Sequence, residues 1–227
     1  MSQPMKILML APEPFFQPRG TPISVFFRLK ALAELGHQVD LVTYHIGEDR
    51  RLPGLRIHRT PSLFFIRNIR IGPSLAKILL DLLLFARSTG LCVSEDYDLV
   101  FSHEEAAWFG VLLAKWLKVP HLYDMHSSLP QQLENFRYSR SRLIRKAFVA
   151  LERFVLRNSS CVLVICQDLL RRLGKQGWGH KAVLLENYLD FPKDEVSPDR
   201  IKKERSKVAS PEEKIILLTL STPTSMT

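Results

Sequence analysis

Hydrophobic positions between residues 6 and 185 follow two alternating patterns. Short apolar or strictly alternating runs are typical of β-strands, and longer segments with apolar positions three or four residues apart are typical of helices. The predicted strands are residues 6–11, 38–43, 55–59, 98–101, 119–123, 161–166 and 181–185. The predicted helices are residues 22–35, 75–87, 104–117, 141–157 and 169–176.

Strands that alternate with helices form parallel sheets, because each parallel connection needs a right-handed crossover. The pattern therefore predicts the α/β class, with a doubly wound, mostly parallel Rossmann-like sheet. Ligands of such sheets bind beyond the carboxyl ends of the strands, at the point where the strand order reverses. If the first three strands run outward in one direction, that point lies between strand 6–11 and the strand that ends at Phe101.

The composition changes after residue 190. Residues 190–214 are rich in Lys, Arg, Asp, Glu and Pro and contain few large apolar side chains, which is typical of a solvated linker. Residues 214–220 predict one further strand, and a lone strand cannot bury both of its faces. We therefore expect one domain over 1–190, a charged interdomain linker over 191–213, and the start of a truncated second domain over 214–227.

Part of the net charge of +9 is concentrated in residues 136–157, most of which form the predicted helix 141–157. Arg142, Arg145 and Lys146 lie beside an apolar stripe at helical spacing. One interpretation is a helix that covers the sheet and turns its basic face to solvent. The other is a helix whose basic face binds an anionic membrane surface. No helix-turn-helix, zinc-finger or aromatic RNA-binding pattern occurs, so we expect no nucleic-acid partner.

The cysteines Cys92, Cys161 and Cys166 fit neither a disulfide framework nor a metal-ligand spacing. No secretory signal pattern is visible, since Pro12 and Pro14 interrupt the first apolar run. No apolar segment is long enough to predict a spanning helix. The expected location is the cytoplasm, with peripheral attachment to the inner face of the membrane left open.

The loop from Pro12 to Pro22 faces the expected ligand crevice. Gly20 lets the backbone approach a ligand closely, and free amides at the start of the next helix favour a phosphate. Thr21 suits the N-cap of that helix, and Pro22 suits its first helical position. Taken alone, one glycine without the spacing of dinucleotide-binding loops fits an ordinary turn better.

Two histidines, His103 and His126, follow predicted strands at their carboxyl ends. A histidine in this place acts as a base or hydrogen-bonds a sugar hydroxyl. The alternative for each is a structural role, in which His126 pairs with Asp124 or with a backbone carbonyl. No nucleophile elbow of the form G-x-S-x-G is present.

Several motifs occur in an order that resembles one family. They are Pro-Arg-Gly-Thr-Pro at 18–22, Leu-Gly-His-Gln-Val at 35–39, Ser-His at 102–103, Asp-Met-His at 124–126, and Leu-Glu-Asn at 185–187 followed by Asp190. Over residues 5–190 this series resembles the glycosyltransferase family 4 type, whose members have the GT-B fold.

The resemblance implies a retaining transfer of a sugar from a nucleotide-diphosphate-sugar donor to an acceptor hydroxyl, without a metal or a further cofactor. It implies that this domain mainly holds the acceptor, a glycan or a lipid-linked molecule of envelope glycan synthesis. Gly20 matches the position near the diphosphate, with Thr21 beside it, and Arg19 replaces a family glycine and is suited to bind phosphate. His126 matches the catalytic position, and His103 matches a further binding position.

The donor-binding half of the family has no counterpart in the expected domains, so we expect the chain alone to be inactive. One alternative is a non-catalytic acceptor-binding or membrane-docking subunit that needs a separate catalytic chain. Another is a related GT-B-like sugar-nucleotide epimerase, which would leave the basic helix unexplained.

Overall fold

A computed structural model of the protein describes residues 3–17, 20–64, 66, 69, 75–128 and 142–187, with the side chains of Leu75 and Arg142 left out. Arg19 and the predicted linker and second domain lie outside these residues.

Seven strands and five α-helices are formed by the described residues. The strands are β1 (Lys6–Ala11), β2 (Gln38–Thr43), β3 (Leu55–Arg59), β4 (Leu99–His103), β5 (His121–Met125), β6 (Cys161–Val164) and β7 (Ala182–Leu184). The α-helices are α1 (Gly20–Glu34), α2 (Leu75–Ser94), α3 (Ala107–Leu117), α4 (Arg142–Asn158) and α5 (Gln167–Lys175). Two short 3₁₀ turns cover Glu104–Ala106 and Gly179–Lys181.

The strands form one parallel sheet in the order β3-β2-β1-β4-β5-β6-β7. Each neighbouring pair is parallel; β1, for example, pairs with β4 from Ile7 opposite Leu99 to Leu10 opposite Ser102. The chain runs outward from β1 to β3 and then crosses back to β4, so the strand order reverses between β1 and β4. The predicted fold class and the predicted reversal point are both confirmed.

The core lies on both faces of the sheet, and β1 is apolar and buried at every position after Lys6. Leu8 and Leu10 pack on the face that is covered by α2 and α3. Ile7 and Met9 point to the opposite face and pack with Val25 of α1. This double burial explains why β1 shows a continuous apolar run instead of strict alternation.

The predicted start of α1 was wrong by two residues. The helix begins at Gly20, so Thr21 and Pro22 lie inside its first turn, and Thr21 is not the N-cap. Proline is tolerated there because the N–H groups of the first turn have no partner within the helix.

The predicted helix 75–87 was too short, because α2 continues to Ser94. Ser88 and Thr89 are compatible with the helix because their hydroxyls donate to the carbonyls of Leu84 and Phe85. The start of the next helix differs as well. Glu104 has φ 46, and the chain makes a 3₁₀ turn before α3 begins at Ala107.

Among the described residues, none of the helices combines the length and the apolar character that crossing a membrane requires.

Candidate functional site

The candidate site lies at the carboxyl edge of the sheet, beside the reversal point. His103 ends β4 and pairs in register with Asp124 of β5. Two residues earlier, Phe101 packs with the core on the α1 side of the sheet. Since alternate residues of a strand share a face, His103 and Asp124 also face α1.

Asp124 is the centre of a buried polar cluster. Its Oδ2 lies 3.4 Å from Nδ1 of His103 and 3.4 Å from Nε2 of His126. Arg28 of α1 donates from Nε to the same oxygen at 3.2 Å. The Asp124 side chain is fully buried, and that of Arg28 is largely buried, so the carboxylate depends on these neighbours for its charge balance.

The electrostatics differ between the two histidines. Burial lowers the pKa of His103 to about 4, against the attraction of Asp124, so His103 is neutral at neutral pH. Burial opposes a charged His126 ring too, but the Asp124 carboxylate outweighs it and raises the pKa of His126. Burial also works against an ionised Asp124, yet His126, His103 and Arg28 hold its pKa at about 2. Of the two rings, His126 is therefore the one whose protonated form the site favours.

Two serine hydroxyls fix the loop that presents His126. Ser127 donates to Oε2 of Glu104 at 3.3 Å. Ser128 is buried and donates to Oε2 of Glu152 in α4 at 2.8 Å. The loop after β5 is thus tied to the turn after β4 and to α4, which limits the positions open to the His126 ring.

The first turn of α1 lies at the same edge of the sheet. Gly20 is exposed, and a Cβ added there would meet nothing within 4 Å. The first amides of a helix have no partner within the helix and carry a partial positive charge. Further along α1, Ser24 donates to Oδ1 of Asn187 at 2.6 Å, and Arg28 donates to the carbonyl of Leu185 at 2.9 Å. These bonds tie α1 to the segment that follows β7.

A second polar cluster lies at the same edge on the α2 side. Tyr44, which follows β2, donates to Oδ1 of Asp81 at 2.5 Å, and Lys77 forms an ion pair with Glu105. Burial, and then the charge of Glu105, raise the pKa of Asp81 to about 7. The cluster contains hydroxyl, carboxyl and ammonium groups that are largely shielded from solvent.

The structure brings His103 and His126 together through Asp124, and it places Gly20 and Thr21 in the first turn of a helix at the same edge. The structural role considered for His126, pairing with Asp124, is present as a close contact. Sequence reasoning missed Arg28, because its contact with Asp124 joins residues 96 positions apart. An arginine inside a helical pattern carries no signal for such a contact.

The model of the glycosyl transferase 4-like domain family matches residues 29–187. The chain belongs to this family. No curated protein sequence gives a significant match to the glycosyltransferase chain.

Three solved structures show the relationship of this glycosyltransferase domain to known folds. Sucrose-phosphate synthase from Thermosynechococcus elongatus is 17% identical with a TM-score of 0.58, over 80% of this chain and 48% of that one. HepE from Anabaena, in complex with UDP, is 19% identical with a TM-score of 0.56, over 89% and 50%. UGT89C1 from Arabidopsis thaliana, complexed with UDP-L-rhamnose, is 10% identical with a TM-score of 0.55, over 92% and 56%.

The chain spans about half the length of each of these structures. At these identities the similarity shows the fold, the Rossmann-like sheet of the GT-B glycosyltransferases. The predicted family and the predicted fold type are confirmed.

Proposed function

We propose that this domain forms the acceptor side of a retaining glycosyltransferase, which moves a sugar from a nucleotide-diphosphate-sugar to an acceptor hydroxyl. The observation that carries the proposal is the His126–Asp124 pair at the sheet edge where Gly20 opens α1. An imidazole paired with a carboxylate and a helix N-terminus at one edge suit a substrate that has both sugar hydroxyls and a diphosphate.

In this proposal the first turn of α1 binds the diphosphate. The amides at Gly20 and Thr21 point along the helix axis, and the helix dipole favours the negative charge that develops on the leaving diphosphate. Arg19, which precedes the helix in the sequence, would add a direct contact to phosphate. The absence of a Cβ at Gly20 lets the ligand approach the backbone.

His126 would donate a hydrogen bond to the transferred sugar or to the acceptor, with Asp124 orienting the ring and favouring its charged form. Neutral His103 would contact the same carboxylate oxygen of Asp124 and the ligand. Tyr44, Asp81 and Glu105 face the same edge of the sheet and would bind acceptor hydroxyls. In a retaining transfer the acceptor attacks from the side on which the diphosphate leaves, so acceptor and donor groups must meet at one edge.

UDP binding tests the donor side of the proposal, because two of the similar structures contain UDP or a UDP-sugar. Gly20→Asp places a carboxylate in the first turn of α1, where it suits the helix but repels the diphosphate. We expect UDP affinity to fall about tenfold, or about 1.4 kcal/mol, in calorimetric titrations of the full chain.

Gly90→Asp is the matched control, since it makes the same charge change at an open position of α2. It should leave UDP affinity unchanged. Equal UDP affinity in the wild type and in Gly20→Asp, or no binding of UDP and other nucleoside diphosphates, would contradict the role of α1.

A lipid-linked acceptor and a membrane-docking role are supported by the start of α4. Leu143 and Ile144 are 77% and 41% exposed, and Arg145 and Lys146 beside them are exposed as well. Exposed apolar side chains next to basic ones suit the interface of an anionic membrane. For Arg142 only the backbone is described. The same surface favours the alternative function, a membrane-docking subunit that works with a separate catalytic chain.

Replacing both Arg145 and Lys146 by Ala tests this surface. Each basic side chain near an anionic bilayer contributes about 1 kcal/mol, so binding to phosphatidylserine vesicles should weaken about 30-fold. Sedimentation with vesicles at low salt measures the bound fraction.

Arg171→Ala with Lys175→Ala removes the same charge from α5, which is also exposed, and should have a much smaller effect. If the two double variants bind alike, the basic face of α4 serves solubility alone.

A further inference from the structure

Arg28 of α1 joins two parts of the structure that are far apart in the sequence. Its Nε donates to Oδ2 of Asp124 in β5 at 3.2 Å, and its Nη2 donates to the carbonyl of Leu185, which follows β7, at 2.9 Å. The side chain is largely buried. Charge balance at Asp124 needs only the first of these bonds, so the second bond points to a role beyond it.

The segment 185–187 is held to α1 by another bond as well. Ser24 lies one turn before Arg28 on the same face of α1, and its hydroxyl donates to Oδ1 of Asn187 at 2.6 Å. The path of the segment 185–187 therefore decides where the Leu185 carbonyl lies relative to Arg28.

The shape of the guanidinium group links the Leu185 carbonyl to Asp124. The group is planar and rigid, so Arg28 keeps both bonds only while Leu185 and Asp124 keep their spacing. The Asp124 oxygen that accepts from Arg28, Oδ2, also lies 3.4 Å from Nε2 of His126. A change in the position of Leu185 therefore changes the carboxylate that the His126 ring contacts.

The charge of Arg28 acts on the His126 ring. Among the described groups, Asp124, Glu104 and His103 also face this ring. Burial opposes the charged ring, yet Asp124 and then Glu104 raise the pKa of His126 above its ordinary value. The positive charge of Arg28 limits that rise. Weaker contact between Arg28 and Asp124 would therefore favour the charged form of His126.

We propose that Arg28 is a positioning residue of the candidate site, which couples the position of the segment 185–187 to the Asp124–His126 pair. Its consequence for transfer rests on the proposed function, in which His126 donates to the transferred sugar or to the acceptor. After Asn187 the chain continues into the predicted linker, so a change in the path of the linker would reach His126 through Arg28. The coupling itself does not depend on sugar transfer.

Histidine-selective NMR of the full chain tests the coupling without donor or acceptor. The ring signal of His126, assigned by its loss in His126→Asn, is followed as the pH is varied. Asn187→Ala removes the bond to Ser24 and loosens the segment 185–187. We expect the His126 titration to move to higher pH, because Arg28 is then held less firmly in place. Ser24→Ala breaks the same bond from the α1 side and should give the same shift.

Two further variants identify the route. Asn158→Ala removes an amide that donates to the Phe154 carbonyl at the end of α4, and it should leave the His126 titration unchanged. Arg28→Lys keeps the charge but lacks the rigid fork that binds both acceptors. In the Arg28→Lys background, Asn187→Ala should no longer move the titration, which is the result expected for coupling through Arg28.

Circular dichroism establishes that each variant is folded, and the two single variants at the Ser24–Asn187 bond decide if Arg28→Lys fails to fold. The proposal is wrong if His126 titrates in either of them as in the wild type, or at lower pH. It is equally wrong if the full shift persists in the Arg28→Lys background. UDP titration of the same samples separates the two proposals. If His126 responds but UDP does not bind, the coupling stands without the proposed function; if UDP binds but His126 does not respond, the coupling alone fails.

Discussion

Gly47→Ala is expected to lower the free energy of unfolding by about 4 kcal/mol, which is most of the stability of many domains. Gly47 has φ +126, and an added Cβ would lie 2.0 Å from the carbonyl oxygen of Phe15 and 2.8 Å from the amide nitrogen of Phe16. These are backbone atoms, so no side-chain rotation relieves the contact.

The backbone of the loop after β1 would have to move. Phe16 donates from its amide to the carbonyl of Glu48 at 2.9 Å, and the Glu48 amide donates back at 3.1 Å. Both bonds would break, while the ring of Phe15 is fully buried and anchors the loop in the core. Backbone strain costs about 1–3 kcal/mol, and overpacking and lost hydrogen bonds add about 1–3 kcal/mol. The same loop leads to Gly20, so UDP binding should suffer as well.

Urea unfolding followed by circular dichroism measures the effect. Gly36→Ala provides the matched control, because Gly36 also has positive φ, +80, but has nothing within 4 Å of its Cβ position. That change should cost only about 1–2 kcal/mol. Gly90→Ala, in α2 with open space around it, should be neutral or stabilise by up to about 1 kcal/mol. A loss in Gly47→Ala no larger than that in Gly36→Ala would mean that the two loops are not packed as the structure shows.

The strands and the reversal point could be predicted because each depends on a local signal. The run from Ile7 to Ala11 is buried on both faces and is therefore apolar throughout. The end of α2 could not be predicted in the same way. Ser88, Thr89 and Gly90 look like a helix stop, and only the burial of Leu91 and Cys92 shows why the helix continues.

The same distinction between local signals and long-range contacts applies to the candidate site. His103 and His126 could be predicted as candidates because each lies at the carboxyl end of a strand, at the edge where ligands bind. Arg28 could not, because it reaches Asp124 only through the packing of α1 against the sheet. The contact of Gly47 with Phe15 is equally non-local, since it pairs the loops after β2 and β1. Position along a strand is visible in a sequence, whereas contact between distant segments depends on the assembled fold.

His121 in β5 could not be predicted as a core residue, since histidine is often exposed. Its side chain is buried between Ser102 of β4 and Ser159 before β6, with Nε2 2.6 Å from Oγ of Ser102 and Nδ1 2.9 Å from Oγ of Ser159. A Cβ on Gly110 of α3 would lie 2.7 Å from Nε2. Within the part of the chain that the structure describes, no carboxylate contacts the ring, and burial lowers the pKa of His121 to about 4.

A buried neutral histidine makes stability depend on pH with a definite sign. The unfolded chain takes up the proton near the ordinary pKa of about 6.5, while the folded chain resists until about 4. The stability that the neutral ring contributes is therefore complete above pH 6.5 and is lost as the pH falls towards 4. The full loss is about 3 kcal/mol.

His121→Asn isolates this effect, because every other group titrates in both proteins. As the pH falls, His103 also lowers the free energy of unfolding, whereas Asp81, whose pKa is raised, increases it. The pH dependence of wild-type stability alone would therefore not separate the three groups. At pH 7.5 the variant should be less stable, since it loses at least one of the serine contacts. Between pH 7.5 and 4 the wild type should lose about 3 kcal/mol relative to the variant in urea unfolding.

His180→Asn, at an exposed position, should follow the wild type at every pH. A difference between wild type and His121→Asn that stays constant with pH would show that folding leaves the pKa of His121 unchanged, and burial of the ring between Ser102 and Ser159 would then not disfavour its charged form.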